Sequence, residues 1–87
     1  MSVGRRLVEE RKRLGMSQAA FFAACGVSKA AQYNFESDVN LPGGAYLIAA
    51  AALGVDVSYV LTGVRNPAVR SDAAPISEPV KSRKRAA

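Results

Sequence analysis

Lys29, Ala30, Tyr33 and Asn34 recur at offsets of three and four, which keeps all four on one surface of a helix. Their types suit the edges of base pairs. The Asn34 carboxamide matches the donor and acceptor of adenine, Lys29 reaches guanine acceptors or a phosphate, and the Ala30 methyl can meet a thymine methyl. Such groups discriminate bases only if the helix carrying them is held at a fixed angle with this face free.

The flanking residues supply that support. Ser17 and Ser28 are good N-caps, because a side-chain oxygen there accepts a first-turn amide that would otherwise lack a partner. Gly26 between them can take the left-handed conformation that ends one helix and turns the chain. Helices over roughly 18–25 and 29–37 follow, separated by a short turn containing glycine, which is the helix-turn-helix unit of DNA-binding proteins. Phe21 and Cys25 on the first helix, and Ala31 and Phe35 on the second, lie four apart and are expected to pack inward. In the docking geometry of this unit the second helix enters the major groove and the first crosses the phosphate backbone.

Further helices must bury these faces. Ser2 and Gly15 bracket a helix over roughly 3–14, in which Val3, Leu7, Arg11 and Leu14 share a stripe. An arginine in such a stripe either extends to solvent, as most do, or finds a partner, for which Glu36 is the candidate. A fourth helix begins near Gly43 or Gly44 and ends at Gly54, with Tyr46, Leu47, Ala50, Ala51 and Leu53 inward. Asp56 caps a fifth that runs to Leu61 or Thr62 before Gly63, and Val57, Val60 and Leu61 close the core. The expected fold class is therefore all-α, with five helices in residues 1–64. Residues 65–87 contain three prolines and no aromatic residue, so they are expected to form a disordered basic tail.

Composition narrows the chemistry. Eighty-seven residues, 49% hydrophobic, suit one small domain, and no stretch is apolar for long enough to span a bilayer. Arg5 and Arg6 precede no apolar run of the secretory kind, so no signal peptide is expected. One cysteine and no histidine exclude an internal disulfide and a His or multi-Cys metal site. Cys25 reads as a small hydrophobe, and no catalytic residues or cofactors are expected. Glu9 and Glu10 are adjacent in sequence, so they diverge on a helix and read as a solvated face. Residues 1–64 carry six basic against five acidic side chains, whereas residues 65–87 carry six against two. The cluster Lys81, Arg83, Lys84 and Arg85 suits either a solubilising tail or non-specific attraction to phosphates.

With these pieces assembled, the chain resembles the Cro/repressor, or XRE-type, helix-turn-helix family across residues 3–64. The resemblance is carried by RRLVEERKRLGMSQ, the GVS turn, the FES at the end of the third helix, LPGGAYLIAAAALGVDV and YVLTG, in that order. It implies a compact lambda-repressor-like domain in which Gln18 starts the second helix and contacts both phosphate and the recognition helix. Lys29, Ala30, Tyr33 and Asn34 then occupy DNA-reading positions, with Ser28 and Ser37 in the same interface. Arg11 and Glu36 match a pair that joins the first helix to the end of the third. Two positions depart from the family pattern: Phe22 stands where a small residue is usual, and Gln32 where Ile or Val is usual. Phe22 is expected to fill space left by a shorter or outward-turned Gln32, with Tyr33 supplying apolar surface nearby.

The implied function is that of a small regulator of phage or prophage type, repressing transcription by occluding an operator in double-stranded DNA. A two-fold homodimer is expected, with the fifth helix around Tyr59 and Val64 as its surface, and no membrane association. The expected location is the bacterial cytoplasm, on the nucleoid. Two alternatives stay open: an antitoxin whose C-terminal segment binds a partner protein, and an interaction module that has lost DNA reading. Asp38 beside the recognition helix and the single basic residue on its reading face both support the latter, since an anion near phosphate weakens binding.

Overall fold

Four of the five helices begin where a side-chain oxygen accepts a first-turn amide. In the computed structural model, which describes residues 2–67, Ser2 accepts from Arg5, Ser17 from Ala20, Ser28 from Ala31 and Asp56 from Tyr59. These caps open α1 (Val3–Arg13), α2 (Gln18–Cys25), α3 (Lys29–Glu36) and α5 (Val57–Thr62), while α4 (Gly44–Leu53) starts behind Gly43 with no side-chain cap. Gly26 closes α2 at φ 72° and ψ 28°, the left-handed conformation expected of it, and the chain turns there into α3. No helix among the described residues is long and apolar enough to cross a membrane.

Leu7, Phe21, Tyr46, Ala50, Val55 and Val60 form the buried core, with Val3, Leu14, Cys25, Phe35, Leu47, Leu53 and Val57 packed around it. Helix α1 lies against α3 and α5, α2 against α3 and α4, and α4 against α5. Two expected core residues lie outside. Ala51 and Leu61 are exposed, because each follows a fully buried residue, Ala50 or Val60, by one helical step of about 100°.

Glu10 overturns the expectation of a solvated acidic face. It is completely buried, and its carboxylate accepts from Nε and Nη2 of Arg13 at 3.0 and 2.7 Å, from the Asp56 amide at 2.8 Å and from Arg65 at 2.7 Å. Glu9 stays outside, where it accepts from the Tyr59 hydroxyl and Arg65. Arg65 also lies over the Tyr59 ring, 3.7 Å from its centroid, and the Asn66 amide bonds to Asp56. These two residues, assigned to the tail on composition, thus contact the domain; the remainder of the tail reading, residues 68–87, lies outside the described residues.

Burial alone would raise the Glu10 carboxyl, but its donors outweigh that and hold it at about 2. Its stabilising contribution is therefore complete above about pH 4.5 and fades as pH falls toward 2, the unfolded chain taking up the proton first. This group should supply on the order of 3 kcal/mol of the stability lost over that window. Urea unfolding at a series of pH values should show a shallower acid limb in Glu10→Gln. An acid limb as steep as that of the wild type would contradict the assignment.

Candidate nucleic-acid interface

Helix α3 presents two unlike faces. Lys29, Ala30 and Tyr33 point away from the core, Tyr33 with 60% of its surface exposed, and Asn34 lies half-buried beside them. Ser28 and Ser37 mark the ends and are exposed. The Ser28 hydroxyl caps the helix, and the Ser37 hydroxyl donates to the Tyr33 carbonyl at 2.8 Å. Beyond Ser37 the chain folds back, so that the amides of Val39 and Asn40 both donate to the Asn34 carbonyl.

The opposite face converges on one carboxylate. Glu36 accepts from Arg11 Nε at 2.7 Å and Nη2 at 3.3 Å, from Gln18 at 2.8 Å and from Gln32 at 2.8 Å. Arg11 additionally donates to the Met16 carbonyl. The side chains of Arg11 and Glu36 are only 12% and 7% exposed, so this pair lies largely out of water. Burial on its own would raise the Glu36 carboxyl; the hydrogen bonds from Arg11, Gln18 and Gln32 prevail and hold it below the usual carboxylate range. One side chain at the end of α3 therefore ties together α1, the start of α2 and α3 itself. Gln18, expected to contact both phosphate and the recognition helix, directs its amide to that helix.

Gln32 is not turned outward. It is fully buried, donates to Glu36 and accepts from the Tyr46 hydroxyl of α4 at 2.7 Å. Both ends of the amide are bonded, which removes the penalty that makes a buried glutamine unfavourable. Gln32 therefore vacates no space by turning outward, and Phe22 is half-buried.

A second contact joins the same end of α3 to α1. Gly4 packs so closely that a Cβ at this position would stand 2.4 Å from the Glu36 carbonyl oxygen and 2.8 Å from that of Phe35. Just beyond α3, Asp38 adopts a left-handed φ of 67° and accepts the Gly4 amide at 2.9 Å. Its carboxyl is held low by the Ser2 hydroxyl and then by that amide. The carboxylate sits at the N-terminus of α1, where negative charge is favoured. Sequence reasoning passed over Gly4, where the only signal was a glycine standing in a helical pattern at a cost of about 1 kcal/mol relative to alanine. Tyr46 was assigned only to the apolar core, since nothing in its spacing discloses a partner for its hydroxyl.

Cys25 is half-buried against the core, and burial raises its thiol pKa, which disfavours the reactive thiolate. Among the described residues no cluster of three His, Cys, Asp or Glu side chains is placed to hold a metal ion.

No protein-family model matches the chain. No curated protein is significantly similar to it either. Among solved structures it is similar to the P22 c2 repressor protein, determined in complex with the synthetic operator 9T in the presence of Tl+. The two share 34% sequence identity and superpose with a TM-score of 0.66, over 74% of this chain and 98% of the repressor chain. With that identity over nearly the whole repressor chain, and with the five helices and the α2–α3 turn in place, this chain belongs to the Cro/repressor family of helix-turn-helix proteins.

Proposed function

We propose that this protein is a sequence-specific double-stranded DNA-binding transcriptional regulator that represses by occupying its operator, in the manner of Cro. The observation that carries the reading is the exposed Lys29–Ala30–Tyr33 face, with Asn34 at its edge, on a helix whose other side is fixed by Glu36. Similarity to a repressor solved on operator DNA supports it. In this reading the N-terminal part of α3 meets base edges in the major groove, where Asn34 takes adenine and Lys29 a guanine or phosphate. The unpaired amides at the start of α2, around Gln18, face a phosphate.

The protein would act as a homodimer on half-sites about one helical turn apart. Tyr59 is engaged with Glu9 and Arg65, so the apolar side chains that α5 and its end offer a second copy are Leu61 and Val64. The competing reading, an interaction module without DNA recognition, drew on Asp38 and on Lys29 being the single basic residue of the reading face. The bond from the Gly4 amide gives the Asp38 carboxylate a structural role and weakens that half of the support, while the single charge of Lys29 is unchanged.

Selection from random duplexes at low salt should return one enriched motif, and binding to it should fall steeply with added salt as counterions are released. Lys29→Ala and Asn34→Ala should keep the wild-type unfolding midpoint. Asn34→Ala should lose about 1–3 kcal/mol of binding, with relaxed preference at one base position. Absence of any enriched motif would sink the proposal. Wild-type binding by both variants would put the reading face elsewhere.

A further inference from the structure

The buried Gln32–Tyr46 pair has no counterpart in the reading face, yet it touches the group that holds that face. Gln32 is on α3, immediately before Tyr33 and two residues before Asn34. Its carboxamide points one way only. The oxygen accepts from the Tyr46 hydroxyl at 2.7 Å and the nitrogen donates to Glu36 Oε2 at 2.8 Å; a flipped amide would set its oxygen against that carboxylate. Burial raises the Tyr46 pKa, so its hydroxyl stays protonated and remains a donor. The Tyr46 ring is held in turn, edge-on to Phe35 with centroids 4.7 Å apart and tilted against Phe21 at 6.1 Å. A continuous hydrogen-bonded chain therefore runs from Tyr46 on α4 through Gln32 and Glu36 on α3 to Gln18 on α2 and Arg11 on α1.

We propose that Gln32 and Tyr46 are positioning residues that set the rotation of α3 about its axis, and with it which base edges Ala30, Tyr33 and Asn34 meet. An apolar side chain at 32 would fill the space, but apolar contact is non-directional and leaves α3 able to roll against α4. Two hydrogen bonds of fixed polarity at a single residue admit one rotation. A small roll displaces side chains on the opposite face of a helix about 10 Å across, which is enough to misalign a bidentate base contact. Loosening the chain should then cost discrimination between sequences more than attraction to phosphates, because phosphate contacts carry no base information. This inference rests on the DNA-reading function proposed above.

Full-length Tyr46→Phe, Gln32→Met and the double variant test it. Tyr46→Phe keeps the ring contacts and Gln32→Met keeps the volume, and denaturant unfolding verifies that each is folded. The readout is the ratio of affinity for the duplex selected by the wild type to affinity for a scrambled duplex at the same salt concentration. Each single variant should lower that ratio roughly tenfold, the effect of one misaligned base contact. Affinity for the scrambled duplex should change by less than about twofold, since its phosphate contacts are retained. The double variant should lose no more than either single one, because both break the same chain. Variants that are less stable yet keep the wild-type ratio would show an ordinary core hydrogen bond and overturn the positioning role alone. If the wild type itself selects no motif, the DNA-reading function fails, and the positioning role with it.

Discussion

Glu36→Ala is expected to destabilise the domain by roughly 3–5 kcal/mol, the cost typical of stranding one partner of a buried ion pair. The truncation leaves the Arg11 guanidinium, the Gln18 amide and the Gln32 amide without the acceptor they share, in a region where the Arg11 side chain is only 12% exposed. A domain of this size has a total stability on the order of 3–10 kcal/mol, so a large part of the population should unfold at modest urea concentration. Arg11→Met should rescue much of the loss when added to Glu36→Ala, because it removes the stranded charge and keeps apolar volume. The double-mutant cycle isolates that coupling. Additive effects in urea unfolding would mean that water reaches the pair and compensates each partner separately, whereas an exposed pair would contribute about 0–1 kcal/mol.

Gly4→Ala should have the opposite sign to the one helix propensity suggests. Alanine is favoured over glycine within a helix by about 1 kcal/mol, and Gly4 lies in the first turn of α1. The added methyl would stand 2.4 Å from the Glu36 carbonyl oxygen, a backbone atom that cannot rotate away. Helix α1 must therefore withdraw from α3, which strains the Asp38 bond to the Gly4 amide and the Arg11–Glu36 pair together. Overpacking of this kind costs about 1–3 kcal/mol on top of any propensity gain. Gly44→Ala is the matched control, since nothing lies within 4 Å of the position its Cβ would take in α4. It should be neutral or stabilising. Thermal unfolding of the two variants side by side checks the contrast, and equal midpoints would show that α1 and α3 leave room for a methyl group at position 4. If Gly4→Ala stays folded, its affinity for a selected operator should fall further than that of Gly44→Ala, because α1 supports the end of the recognition helix.

Features made within a few residues of chain were legible without the fold. Ser17, Ser28 and Asp56 each cap a helix by bonding an amide three residues on, and Gly26 turns the chain through its own backbone conformation. Helical spacing likewise separated Phe21 from the solvent side of α2 and set Lys29, Ala30 and Tyr33 on the outer side of α3. Groups whose partners are remote in sequence were decided only in three dimensions. Glu10 is buried rather than solvated because it meets donors 46 and 55 residues away, at Asp56 and Arg65. Gln32 turns inward because Tyr46, 14 residues on, meets its oxygen, and Asp38 serves the start of α1 because Gly4, 34 residues back, lies against the end of α3. Local patterning determines where helices start, stop and turn their apolar sides. Whether a charged or polar side chain can stay buried depends on hydrogen-bond partners that packing alone brings within 3 Å, and residue spacing holds no record of them.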